Sequence, residues 1–290
     1  MERIYLSRVV FLTLMMVLVL LSGGKAFAEN KKSLELNTAM MRNTYKIEGG
    51  GKFGTCFLVE KPLKNDPSRA RYIIVTAAHV LEDIKSEEAT IYLRKKQSDN
   101  SFIKSPYQIK IRQGSNILWT KNKSGYDVAV MYISLPDDID YQLLSIIFIA
   151  DDKMLKEYEI HPGDEMLCLG FPLYLEANNA GFPILRSGRV ASYPLVPTQN
   201  EESFLLDFEI FPGNSGGPVY FVESNRTYAG SAHIGTTIQF VTGLVSEQFG
   251  LEETIKSINE TRTTYHPLAL ANIIHASHIL ETINQLPEEE

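Results

Sequence analysis

The segment from position 212 to 219 reads Pro212-Gly213-Asn214-Ser215-Gly216-Gly217-Pro218-Val219. A serine hydroxyl becomes a good nucleophile only when a base takes its proton and hydrogen-bond donors stabilise the oxyanion that follows. Glycines on both sides of Ser215 allow a sharp turn and the close approach of a substrate backbone. A glycine-rich turn between two strands is the competing interpretation, because glycine and serine are common turn residues. The segment therefore predicts either a nucleophile loop or an ordinary turn.

Two further segments carry residue types that a nucleophilic serine needs. The first reads Ile73-Ile74-Val75-Thr76-Ala77-Ala78-His79-Val80, an apolar strand that runs into a histidine. Histidine, with a pKa of about 6.5, is the natural general base at neutral pH. The second reads Gly125-Tyr126-Asp127-Val128-Ala129-Val130 and puts a carboxylate at the head of an apolar strand, where an imidazole N–H is a suitable partner. Alone, each of these residues is typical of a structural role.

The order of these residues along the chain, His79, Asp127 and then Ser215, resembles the chymotrypsin-like, or trypsin-like, serine proteases. The resemblance spans about Gly49 to Val245, and its style is closest to the bacterial HtrA-like branch. After Ser215 the chain has only enough residues to finish a barrel and a helix, so no PDZ domain is expected. Further matching pieces are Gly54-Thr55-Cys56-Phe57-Leu58-Val59, Leu169-Gly170-Phe171-Pro172 and Gly213-Asn214-Ser215-Gly216-Gly217-Pro218.

The resemblance implies a serine endopeptidase that hydrolyses peptide bonds through an acyl-enzyme. Ser215 would attack the scissile carbonyl, His79 would take and return its proton, and Asp127 would orient His79. The backbone amides of Gly213 and Ser215 would form the oxyanion hole. This chemistry implies protein or peptide substrates and needs no metal or organic cofactor. The alternative from another class is a catalytically silent binding protein on a protease scaffold.

The sequence leaves alternatives open for the residues that set substrate specificity. By resemblance, Glu209 lies near the floor of the pocket for the residue before the scissile bond, called P1, and would favour Lys or Arg there. The period of two along the strand also allows Glu209 to face solvent. The pocket wall comes either from the segment that ends in Ser246, which would then bond Asp127, or from the segment that contains His233. The second choice would favour a glutamate at P1.

Many short runs rich in Val, Ile, Tyr and Phe, separated by turn residues, predict an all-β chain. The resemblance implies two six-stranded antiparallel β-barrels within residues 29–290, the first over about 45–135 and the second over about 160–275. His79 and Asp127 would lie on the first barrel and Ser215 on the second. A C-terminal helix is expected over about 276–286.

The N-terminus has the pattern of a signal peptide over residues 1–28. Arg3 and Arg8 precede an apolar run from Val9 to Leu21, and Ala26-Phe27-Ala28 supplies a small-residue cleavage site. The run is shorter than the roughly 20 residues of a spanning helix, so we expect a secreted or periplasmic protein with no stable membrane span after cleavage.

The formal charge of -7 argues against nucleic acid as a partner, and the sequence leaves the oligomeric state open.

The two cysteines are candidates for a disulfide, and a pair of histidines is a candidate for a metal site. Cys56 and Cys168 are an even count in an exported chain, which permits one disulfide. Their apolar surroundings are equally typical of buried free thiols, so both states stay open. His275 and His278 lie three residues apart with Glu281 next in step, but we expect a surface or packing role and predict no metal site.

Overall fold

The structure is a computed structural model that describes residues 35–63, 65–66, 69–142, 144–257 and 260–287. The predicted signal peptide at residues 1–28 lies outside this part of the chain. None of the helices among the described residues is long and apolar enough to cross a membrane. The α-helices are α1 (Leu36–Asn43), α2 (Ala78–Asp83), α3 (Asp152–Glu157) and α4 (Ala276–Asn284). Single 3₁₀ turns occur at Ile146–Phe148 and Pro172–Tyr174.

The first half of the described chain builds a seven-stranded antiparallel sheet in the order β5-β4-β1-β2-β3-β9-β8, together with a separate pair of short strands, β6 and β7. The strands are β1 (Thr44–Gly49), β2 (Lys52–Pro62), β3 (Ala70–Thr76), β4 (Glu88–Lys96), β5 (Phe102–Lys110), β6 (Arg112–Gln113), β7 (Asn116–Ile117), β8 (Thr120–Lys121) and β9 (Ala129–Ile133). Every pairing in this sheet is antiparallel.

The second half builds a closed antiparallel barrel of six strands in the order β10-β11-β12-β15-β14-β13. The strands are β10 (Glu165–Gly170), β11 (Ile184–Val190), β12 (Ser203–Asp207), β13 (Pro218–Tyr228), β14 (Ser231–Lys256) and β15 (Thr261–His275). Three of them are longer than the barrel needs, because β13 and β14 form a hairpin past its rim and β14 and β15 form another.

The predicted fold class is confirmed: the chain is all-β, with two antiparallel sheets of the chymotrypsin-like type and a C-terminal helix. The first sheet has one strand more than the six predicted, because the two residues of β8 pair with β9. The predicted strands before and after His79 and Asp127 are β3 and β9, which are neighbours in this sheet. Their pairing, Thr76 with Ala129, brings the end of β3 that leads to His79 next to the start of β9, which follows Asp127.

The two halves are joined by side chains and by backbone hydrogen bonds. The linking segment bonds the first sheet through Glu60 N and Leu144 O at 2.8 Å, and the second through Ala150 N and Val241 O at 2.9 Å. Arg94 of β4 is fully buried, and its guanidinium donates four hydrogen bonds to backbone carbonyls. The acceptors are the carbonyls of Met41, Arg42, Thr44 and Gly181. Gly181 belongs to the loop between β10 and β11, so this buried cation fixes the first sheet against the second barrel.

Candidate active site

His79 is the second residue of α2, directly after β3. Ala77 and Ala78 before it are buried and small enough to let the chain turn from strand to helix against the sheet. The His79 backbone N–H donates to Asp127 Oδ1 at 3.0 Å, and its ring Nδ1 lies 2.8 Å from Asp127 Oδ2. Because both the backbone and the ring of His79 bond one carboxylate, the orientation of the imidazole is fixed and Nε2 is left facing outward.

Asp127 precedes β9 and accepts three hydrogen bonds. Besides the two from His79, the Ser246 hydroxyl donates to Asp127 Oδ2 at 2.6 Å. Burial alone would raise the pKa of this carboxyl, but the hydrogen bond and charge of His79 and the hydrogen bond of Ser246 outweigh it and lower the pKa to about 2. Asp127 is therefore ionised at any pH at which His79 titrates.

The pKa of His79 is shifted in the opposite direction. Burial favours the neutral imidazole and lowers its pKa, but the hydrogen bond and negative charge of Asp127 outweigh burial, so the pKa of His79 is raised above its ordinary value. A raised pKa makes this imidazole a stronger base once it is deprotonated. It also means that the imidazolium formed by taking up a proton is stabilised where it stands.

Ser215 lies in the loop between β12 and β13, and its hydroxyl donates to the Ser246 carbonyl at 2.9 Å. Within the described residues Ser215 Oγ makes no hydrogen bond to His79. Ser246 therefore contacts both groups: its hydroxyl bonds Asp127 and its carbonyl accepts from Ser215. Rotation of the Ser215 side chain about χ1 is enough to move Oγ from the observed position to another staggered one.

The backbone amides of Gly213 and Ser215 are the expected oxyanion donors. The carbonyl of Pro212 accepts from Leu173 N at 2.8 Å, and that of Asn214 accepts from Gly217 N at 2.9 Å. In a trans peptide the N–H points away from the preceding carbonyl, so the two amides point away from these partners. Neither amide donates a hydrogen bond to any described residue. Gly213 has φ +99°, a conformation that only glycine adopts without strain.

Thr55 of β2 holds the glycine-rich loop around Ser215 against the first sheet. Its backbone N–H donates to the Ser215 carbonyl at 2.9 Å, and its hydroxyl donates to the Gly213 carbonyl at 2.6 Å. The positions on both sides of Asn214 are thereby tied to a strand of the other half of the molecule. Nothing in the sequence indicates this role, although Thr55 stands in a segment that matches the protease pattern.

The proposed specificity residues are brought to different places. Ser246 lies beside Ser215 and Asp127, as its segment predicted. His233 does not: it lies far along the β13–β14 hairpin opposite Arg226, with its ring stacked on Tyr228 at 3.8 Å. The structure thus corrects the alternative in which His233 enters the pocket, because β14 continues past it to present Ser246 instead.

Glu209 is half-buried and lies six residues before Ser215. The guanidinium of Arg186, on β11, lies 5.3 Å from the ring centroid of Phe208 and 5.5 Å from that of Phe211. Its Nη1 is buried and has no hydrogen-bond acceptor among the described residues. This cation beside Phe208 and Phe211 is a feature that the sequence did not indicate.

The remaining candidates take no part in this site. Cys56 and Cys168 are free and buried, so the disulfide left open by the sequence is not formed. Burial raises the pKa of the Cys56 thiol, and raises that of Cys168 to about 12, which makes both poor nucleophiles. No group of three or more metal-ligating side chains occurs among the described residues. His275 and His278 are instead buried, the latter stacked on Tyr126 at 3.6 Å.

Residues 54–227 match the family model of the trypsin-like peptidase domain, which covers well over half of the chain. The chain therefore belongs to the trypsin-like peptidase family, and this membership supports a protease. No curated protein matches the chain.

Solved structures with a similar fold share little sequence with the chain. Rv3671c from M. tuberculosis H37Rv, in an inactive form, is 15% identical over 87% of this chain and 89% of its own, with a TM-score of 0.45. The protease Anisep from Arthrobacter nicotinovorans is 13% identical over 85% of this chain and 96% of its own, with a TM-score of 0.45. The thermostable serine protease AL20 is 11% identical over 85% and 97%, also at 0.45.

Proposed function

We propose that this protein is a serine endopeptidase that cleaves protein or peptide substrates through an acyl-enzyme, with His79, Asp127 and Ser215 as its catalytic triad. Ser215 Oγ attacks the scissile carbonyl while His79 Nε2 takes its proton. The imidazolium then gives that proton to the leaving amine, and the acyl-enzyme is hydrolysed by water in the reverse sense. Asp127 holds the imidazole in one tautomer and stabilises its cation.

The observation that carries this proposal is the pair of hydrogen bonds that reach one carboxylate from two sides. His79 Nδ1 lies 2.8 Å from Asp127 Oδ2, and the hydroxyl of Ser246 donates to the same oxygen at 2.6 Å. The Ser246 carbonyl in turn lies 2.9 Å from Ser215 Oγ. A half-buried aspartate that orients a histidine near a serine in a glycine loop has the geometry of a charge-stabilised general base.

Two features of the resting site are compatible with turnover. Ser215 Oγ has to leave the Ser246 carbonyl before it can reach His79, and catalytic hydrogen bonds are often long or misaligned until substrate binds. The amides of Gly213 and Ser215 are free to bind the oxyanion, and removing one such donor costs about a hundredfold to a thousandfold in rate. The site therefore needs no rearrangement of the main chain to bind a tetrahedral intermediate.

The experiment that tests the proposal is labelling of the purified protein with a fluorophosphonate, which reacts only with an activated serine. The wild-type protein should be labelled, whereas Ser215→Ala and His79→Ala should not. Ser224→Ala is the matched control, because Ser224 is an exposed serine whose hydroxyl lies 2.9 Å from Thr237 Oγ1 on the β13–β14 hairpin. Labelling of the Ser215→Ala variant, or equal labelling of all four proteins, would contradict the assignment.

A catalytically silent binding protein gives a different result in the same experiment. A well-folded wild-type protein that resists the probe and cleaves no peptide, yet still captures a protein partner, would support that alternative. Such scaffolds usually lack a triad residue, and this chain retains all three.

We propose in addition that the chain is exported, because residues 1–28 have the pattern of a signal peptide. Amino-terminal sequencing of the protein recovered from the periplasm or the medium should begin at Glu29. Recovery of the intact Met1 terminus from the cytoplasm would overturn this assignment.

A further inference from the structure

Residues 122–126, here called the aspartate loop, lead into Asp127. Three of them are exposed to solvent: Lys123, Ser124 and Gly125. The loop closes on itself, because Asn122 N donates to Val128 O at 3.1 Å. Val128 N donates in turn to Tyr126 O at 2.7 Å, so Asp127 is the middle residue of a tight three-residue turn. The loop and Asp127 therefore move as one small unit.

One face of the C-terminal helix α4 lies against this loop. Its residues are spaced by three and four positions, the spacing that places side chains on the same side of a helix. They are His278, Glu281, Thr282 and the C-cap residue Gln285. The whole of this face is used by contacts to one loop.

Three hydrogen bonds reach this face from successive residues of the aspartate loop. They run from Asn122 Nδ2 to Thr282 Oγ1 at 2.9 Å, from Lys123 N to Gln285 Oε1 at 3.0 Å, and from Ser124 Oγ to Glu281 Oε1 at 3.0 Å. Asn122 and Thr282 are both buried. A buried amide that loses its acceptor pays the cost of desolvation without return, so this bond fixes the start of the loop firmly.

Tyr126 carries the contact that is nearest to Asp127. Its ring is stacked on that of His278, with centroids 3.6 Å apart and an interplanar angle of 29°. His278 is 4% exposed, and its Nδ1 lies 3.5 Å from Glu281 Oε2. Because Tyr126 is bonded to Val128 across Asp127, a shift of the Tyr126 ring also shifts the turn that carries the carboxylate.

The other end of this connection lies in the second barrel. α4 begins directly after β15, whose last residue, His275, pairs with Gly243 of β14. Further along β14, the Ser246 hydroxyl donates to Asp127 Oδ2 and the Ser246 carbonyl accepts from Ser215. α4 therefore ties the aspartate loop, which belongs to the first half of the molecule, to the barrel that carries Ser215.

We propose that α4 positions Asp127: the face with His278 and Thr282 holds the aspartate loop so that the Asp127 carboxylate meets His79. This inference rests on the proposed endopeptidase function. His278, Thr282 and Tyr126 are positioning residues, because they reach His79 only through Asp127. A misplacement of about 1 Å, even one caused far from the reacting atoms, can cost about a hundredfold in rate, so loss of the helix contact should be visible in kcat.

The first test replaces Tyr126, with a peptide that the wild type cleaves and at a temperature at which circular dichroism shows every variant to be folded. Tyr126→Ala removes the stack and should lower kcat by about tenfold to a hundredfold, with KM changed less than about twofold. Tyr126→Phe keeps a ring on His278 and should restore kcat. Asn284→Ala is the matched control, because Asn284 is an exposed residue of α4 outside the contact face. A wild-type kcat for Tyr126→Ala would overturn the proposal.

A milder change tests the polar contact and keeps the proposal open to refutation if Tyr126→Ala does not fold. Thr282→Val keeps the shape of a buried side chain but removes the acceptor of Asn122 Nδ2. It should lower kcat by about threefold to tenfold. Thr282→Ser keeps the hydroxyl and should restore kcat. An equal loss in both variants would assign the effect to packing by the methyl group and would contradict the positioning role.

The pKa of His79 is a readout that general destabilisation does not move. Burial lowers this pKa, and the hydrogen bond and charge of Asp127 raise it above the ordinary value, with further contributions from Asp83 and Glu247. Tyr126→Ala should lower the pKa, because the Asp127 carboxylate moves away while Asp83 and Glu247 stay in place. Nuclear magnetic resonance titration of the His79 ring measures it in the folded protein. A lower kcat with an unchanged pKa of His79 would overturn the proposal.

The titration also separates this inference from the endopeptidase proposal, because it does not depend on catalysis. If the wild type is not labelled by the fluorophosphonate and cleaves no peptide, the endopeptidase proposal fails, and a lowered pKa of His79 in Tyr126→Ala still supports the positioning of Asp127 by α4. If the wild type is active and Tyr126→Ala matches it in both kcat and the pKa of His79, only the positioning role fails.

Discussion

The base of β14, residues 244–246 in the middle of the strand, and its far end, residues 251–256, lie in opposite surroundings. At its base Leu244 and Val245 are fully buried between β13 and β15, and Ser246 bonds Asp127. At its far end Leu251 and Ile255 are mostly exposed, and β15 is the single neighbouring strand among the described residues. The comparison teaches that the base is fixed by packing on both sides and can hold reacting groups in place, whereas the far end is held by its pairing with β15 and by little packing.

The largest expected effect comes from the carboxylate that the base of β14 supports. Asp127→Asn should lower kcat by about 10⁴, the magnitude known for this change in the chymotrypsin template, because an amide cannot enforce the same imidazole tautomer. The variant should fold, since the amide occupies the same volume. Steady-state kinetics with a four-residue peptide measures the loss. A loss below about tenfold would mean that another residue orients His79.

The pH dependence of the remaining activity is the control for this variant. In the wild type Asp127 raises the pKa of His79, so kcat/KM should rise with pH through a value above the ordinary one of imidazole. Without the carboxylate, burial dominates and lowers the pKa of His79, so the acid limb should move to lower pH.

In folding terms, the stability from the raised pKa of His79 is fully present below its unfolded pKa and is lost as pH rises through its folded pKa.

Much of the site could be predicted from short segments of sequence, because His79 and Asp127 each lie beside the end of an apolar strand. The strand before His79 and the strand after Asp127 are both apolar runs, and their pairing follows once they are recognised as neighbours. The glycines around Ser215 likewise indicate a loop without help from distant residues. In these places local pattern and tertiary structure agree.

The remaining features depend on contacts between residues that are distant in sequence. Thr55 and Ser215 meet across the two halves of the molecule, and nothing in either segment indicates the other. The far end of β14 gives no clear strand signal in the sequence, because Glu252 and Glu253 interrupt its apolar alternation. A ribbon with both faces in solvent has no buried face to give the sequence a period of two, so the pattern that reveals buried strands is absent.

The base and the far end of β14 should contribute differently to the free energy of unfolding. Val245→Ala should lower the free energy of unfolding by about 2 kcal/mol, because it removes two methyl groups from a fully buried position. Leu251→Ala removes more atoms but should change it by less than about 0.5 kcal/mol, because the side chain is mostly exposed. Urea unfolding followed by circular dichroism measures both. Equal losses would show that the far end is packed against something in solution.

The third prediction concerns the clamp that Thr55 places on the nucleophile loop. Thr55→Val keeps the side-chain shape but removes the hydroxyl that donates to the Gly213 carbonyl at 2.6 Å. The buried carbonyl then loses its partner, which costs about 1 kcal/mol or more, and the neighbouring oxyanion amide is held less firmly. We expect kcat to fall by about tenfold with KM nearly unchanged. Thr55→Ser should restore the rate, and failure of that rescue would point to packing by the methyl group instead.

The smallest effect is expected from the Ser246 hydroxyl, because Asp127 keeps both hydrogen bonds from His79 when it is lost. Ser246→Ala should lower kcat/KM by about threefold to tenfold, and Ser246→Thr should recover part of it. The lowered pKa of Asp127 gives a second readout: its stabilising effect is present above the unfolded pKa of about 4 and is lost as pH falls through the folded value of about 2. The difference in free energy of unfolding between wild type and Ser246→Ala should therefore be largest at pH 6. It should shrink toward pH 2, where the Asp127 carboxyl becomes protonated in both proteins. A difference that stays constant over this range would mean that the hydroxyl acts through packing, and the base of β14 would then support Ser215 through its carbonyl alone.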